Sequence, residues 1–182
     1  MFARTPLDML AGMVFTSLLI LAAVRDLQTR RIPNPLVLTL VVLGFAYSAI
    51  TPVSLWGALW GALRAFEGLG IAMACWLPFY ALGWLGAGDV KLFAAAGAWL
   101  GPGKAFEGSV IAALAGGVLG LIWMLRSRGL RDSIETLGIA ATLPGVLADR
   151  SPEARSTRSL PYGVALAAGA ICAGWLPGLV LH

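Results

Sequence analysis

Apolar runs separated by short polar segments dominate this chain. The runs cover about Leu7–Val24, Leu36–Ile50, Gly68–Leu85, Val90–Leu100, Val110–Leu125 and a last stretch from Leu160 to Pro177. A membrane-spanning helix needs roughly 20 predominantly apolar residues, so the pattern predicts a bundle of about six spans. Asn34 is a good helix N-cap, and Pro35 suits the first helical position because its missing N–H is not needed there. The region before the third span is less clean. Trp56–Glu67 reads as an interfacial or helix-extending piece, with Trp56 and Trp60 as interface anchors and with Arg64 and Glu67 spaced to pair on one helical face. Val90–Leu100 is short for a span. Gly101-Pro102-Gly103-Lys104 is expected to be a turn, and the Gly- and Ala-rich fifth run favours close helix packing.

Composition turns this pattern into a class. Of the 182 residues 59% are hydrophobic and only 12% charged, where soluble domains average roughly 45–50% and about 25%. The expected fold is all-α, a polytopic integral membrane helix bundle forming one domain over residues 1–182. A net charge of +4 does not imply nucleic-acid binding, because the basic residues fall between the apolar runs. The segments 25–35, 86–91 and 126–158 hold ten of the thirteen Lys and Arg residues, so the positive-inside rule assigns them to the cytoplasm and both termini to the other side. Segment 126–158 is the one long polar loop, with six arginines and four acids; it is expected along anionic headgroups. The N-terminal run ends in charge without a small-residue cleavage site and does not read as a cleaved signal peptide. Cys75 and Cys172 lie inside apolar runs, and the single histidine is His182. That leaves no plausible zinc cluster, and neither a metal nor a cofactor is expected.

The charges that stand out are Asp26 and Asp89, the carboxylates next to the cytoplasmic ends of the apolar core. Acids near membrane depth are expensive, which makes each a functional-site hypothesis. Two carboxylates brought together cannot both ionise readily, so one holds a proton and the pair can activate water. No Ser/His/Asp set competes with them, and Gly86-Ala87-Gly88 is not a phosphate-cradling loop. Each residue also has a plain reading. Asp26 can be a juxtamembrane charge beside Arg25, Asp89 the N-cap of the fourth helix, Gly86 and Gly88 a tight turn. Arg25, Arg30 and Arg31 can be topology determinants, and Lys91 a snorkelling cation. Spacing alone does not show that the two aspartates meet.

Three motifs add a resemblance. Asp26-x-x-x-x-Arg31-Ile32-Pro33-Asn34 after the first span, Gly86-Ala87-Gly88-Asp89-Val90-Lys91-Leu92, and Leu160-Pro161-Tyr162-Gly163 opening the last span resemble the type IV prepilin peptidases, in the family's order. The resemblance implies a membrane aspartic endopeptidase with Asp26 and Asp89 as catalytic pair and Gly86, Gly88, Lys91, Arg31, Pro33, Asn34, Pro161 and Gly163 as supporting motif residues. Its expected partners are a pilin-like precursor with a hydrophobic N-terminal helix, cut at the cytoplasmic face of the inner membrane, and the bilayer itself; a homo-oligomer is a further candidate. Bifunctional members carry an insert with paired Cys-x-x-Cys motifs and also methylate the new N-terminus. This chain has no such insert, so it is similar to the short, peptidase-only branch serving Flp/Tad-type pili. Two other readings stand beside this one. A presenilin-like protease shares Gly-x-Gly-Asp but expects Tyr-Asp and Pro-Ala-Leu motifs. A small ion-coupled transporter or channel expects its carboxylates near the midplane.

Overall fold

A computed structural model describes residue 2 and residues 5–29, 31–50, 54–127 and 162–176. The described residues form helices α1 (Pro6–Thr29), α2 (Asn34–Ile50), α3 (Leu55–Ala81), α4 (Ala87–Ser127) and α5 (Tyr162–Trp175). The chain is a polytopic helical membrane bundle. Helices α1, α3 and the Ala87–Ile122 part of α4 are long and apolar enough to cross a membrane, while α2 and α5 are shorter apolar helices. In lipid, helices satisfy every backbone polar group within the segment, which is why so apolar a chain resolves into them.

Helix α4 is the centre of the molecule, and α2, α3 and α5 all pack against it, while α1 lies mainly on α5. The fourth apolar run forms its first limb. Leu92 through Leu100 are buried at every position, so this limb has no lipid-facing side and reads as apolar all round. At Gly101 the backbone leaves the helix (φ 72°, ψ 175°), a conformation open to glycine because it lacks Cβ. The second limb then runs back: a Cβ on Gly108 would lie 3.4 Å from the Phe93 ring, and one on Gly116 2.8 Å from the Tyr162 ring. The bundle thus has six helical limbs among the described residues, and the expected four-residue turn at 101–104 is compressed into one glycine.

Other local expectations are corrected. Of the two readings of Trp56–Glu67, the helix-extending one holds and the separate interfacial piece does not: it is the first half of α3, which Ser54 starts by accepting the Gly57 N–H at 3.0 Å. Helical continuity there lets α3 pass α4 at Gly68 and Gly97, where a Cβ on either glycine would run into the other's carbonyl oxygen. Small residues at crossings let helices approach this closely. Arg64 and Glu67 make no ion pair among the described residues. Arg64 instead lies over the reversal, its Nε 2.7 Å from where a Cβ of Gly101 would stand. Helix α3 stops at Ala81 rather than Leu85. Gly83 takes φ 74°, and the N–H groups of Gly83 and Trp84 reach back to the carbonyls of Tyr80 and Phe79 at 2.9 Å each, a Schellman ending. At the start of α2 the Pro33 carbonyl accepts from Leu36 and Val37, so Asn34 stands inside the first turn rather than capping it.

The two ends of the bundle differ in kind. At one end Phe2, Phe15, Tyr47 and Trp99 pack ring on ring, with centroids 5.4–6.5 Å apart. Tyr47 Oη donates to buried Asp8 at 2.7 Å, and Trp99 Nε1 donates to the Leu40 carbonyl at 2.7 Å. Lys104 bridges Glu107 at 2.8 Å and the Leu176 carbonyl at 3.1 Å. Polar groups here are tied off by partners within the protein. The opposite end carries the carboxylates of interest.

Candidate active site

Asp26 lies in the last turn of α1 and is 7% exposed. Its Oδ2 accepts the N–H of Gly163 at 3.0 Å, across 137 residues of sequence. Gly163 is the second residue of α5, so its N–H is one of the first-turn donors that have no partner inside a helix. Asp26 thereby occupies the positive end of the α5 macrodipole.

Asp89 stands at the start of α4 and is half-buried. The Gly86 carbonyl accepts from Asp89 N–H at 3.1 Å and from Val90 N–H at 3.4 Å, while Asp89 Oδ2 accepts the Gly86 N–H at 3.3 Å. Gly86 is therefore the cap and Asp89 the third helical residue, the acidic half of a capping box. The expectation that Asp89 itself caps the helix is corrected by this pattern. The two carboxylates are within electrostatic reach of each other, Asp26 acting on Asp89 and Asp89 acting on Tyr162. Each acid is thus held by a glycine N–H at a helix N-terminus, one in trans from α5 and one within α4.

The remaining motif residues fall into three groups. Gly86, Gly88 and Gly163 are part of the local geometry. Arg31, Pro33, Asn34 and Lys91 are exposed around it. Pro161 lies outside the described residues, as do Arg30, residues 128–158 of the basic loop, residues 159–160 and residues 177–182. Sequence reasoning passed over two residues that the fold brings in. Ile32 packs on Gly88, 3.6 Å from where a Cβ would stand, and so links the α1–α2 connection to the start of α4. In the sequence it stood inside the first motif, between Arg31 and Pro33, with no role assigned to it. Trp76 meets Tyr162 and Phe93 edge-on, with centroids 6.4 and 5.6 Å apart, walling the α5 side of the site. Nothing in sequence separated it from other apolar residues of α3. Among the described residues no cluster of His, Cys, Asp or Glu has the makings of a metal site.

The chain is thus a helical membrane bundle with an acid from α1 and an acid from α4 at one end. The sequence profile of the Type IV leader peptidase family matches residues 13–125, a region that contains both Asp26 and Asp89, and the chain belongs to that family. Among its relatives is a protein of Pectobacterium carotovorum subsp. carotovorum named prepilin leader peptidase/N-methyltransferase, 38% identical over 123 residues, 66% of this chain and 42% of the relative. A protein of Bacillus subtilis (strain 168) with the same name is 33% identical over 171 residues, 92% of this chain and 56% of the relative. The chain thus spans about half the length of these curated relatives. No solved structure matches it.

Proposed function

We propose that this chain is a membrane aspartic endopeptidase that removes the N-terminal leader of pilin-like precursors at the cytoplasmic face of the inner membrane. The observation that carries this reading is the convergence of Asp26 and Asp89 at one bundle end, each held by a glycine N–H at a helix start. In the proposed reaction one ionised carboxylate takes a proton from water, whose oxygen attacks the scissile carbonyl carbon. The protonated partner donates to the carbonyl oxygen as the tetrahedral intermediate forms. Collapse breaks the C–N bond: the proton taken from water passes to the leaving amine, and a hydroxyl of the intermediate returns its proton to the partner carboxylate as the carbonyl re-forms, leaving the new carboxyl product and restoring the pair. No covalent enzyme intermediate is involved. A precursor whose leader precedes an apolar helix suits such a site, because that helix can pack laterally on the bundle while the cleavage site meets its end.

The activity proposed is leader cleavage without methyl transfer. Its support is that these 182 residues contain two cysteines, Cys75 in α3 and Cys172 in α5, and no paired Cys-x-x-Cys. The cytoplasmic assignment rests on the sequence alone: segments 25–35, 86–91 and 126–158 hold ten of the thirteen Lys and Arg residues, which the positive-inside rule assigns to the cytoplasm. If a cysteine placed at Thr29 in intact cells reacts with a membrane-impermeant reagent, the orientation is reversed.

The test is cleavage of a co-reconstituted small pilin precursor by wild type, Asp26→Asn and Asp89→Asn. Loss of a triad member costs on the order of 10⁴-fold or more in serine proteases, and a comparable loss is expected for either variant here. Wild-type cleavage by either one would remove the dyad. The transporter reading needs acids near the midplane, whereas Asp26 ends α1 and Asp89 begins α4.

A further inference from the structure

We propose that Gly163 is a positioning residue of the dyad: its N–H fixes the Asp26 carboxylate, and its missing side chain leaves the space that carboxylate occupies. The inference rests on the catalytic reading of Asp26 and adds the last helix to the site.

Two independent features of the geometry meet at this residue. One is the hydrogen bond from Gly163 N–H to Asp26 Oδ2 at 3.0 Å, the contact by which α5 holds α1 at the reactive end. The other is steric. A Cβ built on Gly163 would have as its three nearest heavy atoms Asp26 Oδ2 at 2.7 Å, Cγ at 3.0 Å and Cβ at 3.1 Å. All three belong to the aspartate, so a methyl group here presses on the carboxylate and on nothing else at that range. The glycines in the middle of α5 are different. A Cβ on Gly169 would strike Ala112 Cβ, N and Cα at 2.5–2.7 Å, a helix-packing clash that displaces backbone. Gly163 is also a small residue at a helix interface, but the atoms it makes room for are those of a reacting group.

The preceding residue explains how Gly163 keeps its place. The Tyr162 ring lies in a slot where a Cβ on Gly116 would come within 2.8 Å of it, and Trp76 meets it edge-on at 6.4 Å. Tyr162 is thereby wedged between α3 and the second limb of α4, which fixes the first turn of α5. The N–H that follows is aimed at α1. The Asp26 carboxylate takes its orientation from this fixed turn.

The experiment compares wild type with Gly163→Ala in the reconstituted precursor-cleavage assay, measuring kcat and KM separately together with thermal unfolding. Misplacement of a reacting group by about 1 Å can cost 100-fold, so kcat is expected to fall about 100-fold with KM within about two-fold of wild type. A wild-type kcat, or a change confined to KM, overturns the inference. If Gly163→Ala does not fold, the double variant Asp26→Gly/Gly163→Ala decides. Replacing the aspartate by glycine removes its Cβ, Cγ and Oδ2, so recovery of folding supports the proposal, whereas continued failure shows a packing glycine and overturns it. Loss of activity in Asp26→Asn combined with full activity in Gly163→Ala would sink this inference while leaving the dyad intact. Full activity in Asp26→Asn would sink the dyad itself.

Discussion

Replacing Gly88 by alanine should make the protein more stable and the enzyme worse. Gly88 is the second residue of α4, and its φ is not positive, since the positive-φ glycines among the described residues are Gly83 and Gly101. The nearest heavy atoms to an added Cβ are Ile32 Cβ, Cδ1 and Cγ1 at 3.6, 3.8 and 3.9 Å, ordinary van der Waals contact. Restricting the unfolded chain at a compatible site contributes about 0.4–1 kcal/mol. A half-buried methyl against Ile32 adds up to about 0.4 kcal/mol, half the value of a fully buried methylene. The expected gain is therefore about 1 kcal/mol, a rise in Tm of about 2–4 °C for a chain of this size. The fold does not require glycine here. If the proposed reaction brings a substrate backbone against the start of α4, the methyl obstructs that approach, and cleavage falls while stability rises. The assay pairs thermal unfolding of the detergent-solubilised protein with initial rates of precursor cleavage. A lower Tm would refute the geometry derived for the start of α4. A higher Tm with undiminished cleavage would refute the idea that Gly88 is kept bare for a substrate.

Two further variants probe the scaffold away from the acids. Gly101→Ala forces a side chain into the essentially glycine-only region at φ 72°, ψ 175°, costing about 1–3 kcal/mol, and sets a methyl against Arg64 Nε; Tm should fall by several degrees, and an unchanged Tm would mean that the reversal lies elsewhere. Tyr47→Phe removes the donor to Asp8 at 2.7 Å. Interhelical hydrogen bonds in membranes average about 0.6 and reach about 1.7 kcal/mol. Unfolding should show a loss in that range, with kcat per folded enzyme unchanged because the pair sits at the opposite end from Asp26 and Asp89.

How far the sequence could be read depended on the kind of information each feature needed. Asp26 and Asp89 were legible because charge next to an apolar run is costly wherever it occurs. The all-helical membrane fold followed from hydropathy for the same reason. Helix boundaries were less legible. Gly101 carries the whole reversal of α4, but Gly101-Pro102-Gly103 looks alike whether the turn takes one residue or four. Arg64 and Glu67 had the spacing of an ion pair, yet the fold offered Arg64 the surface of the reversal instead. The Val90–Leu100 run seemed too short to span because it was judged against lipid, whereas Leu92–Leu100 is enclosed by protein. Ile32, Trp76 and Tyr162 became site residues through contacts across 56, 86 and 46 positions (32 to 88, 76 to 162, 116 to 162). Neither hydropathy nor local spacing encodes contacts of that range.

The placement of both acids at helix N-termini bears on why a membrane bundle can hold two of them side by side. A carboxylate near membrane depth is costly, and a hydrogen bond to a charged acceptor and a helix N-terminus each offset part of that cost. Both acids stand at helix ends and each has such an offset: Asp89 from the start of its own helix, Asp26 from the start of α5. Asp26 also acts electrostatically on Asp89, and that repulsion has no such offset. The two offsets depend on keeping two helix starts aimed at one place. Around them Tyr162 is wedged between Gly116 and Trp76, and the first limb of α4 is buried on every side. The tightly packed parts of the bundle thus hold the frame, while Asp89, half-buried behind exposed Gly86, is the more accessible of the two acids and Asp26 is buried against the start of α5.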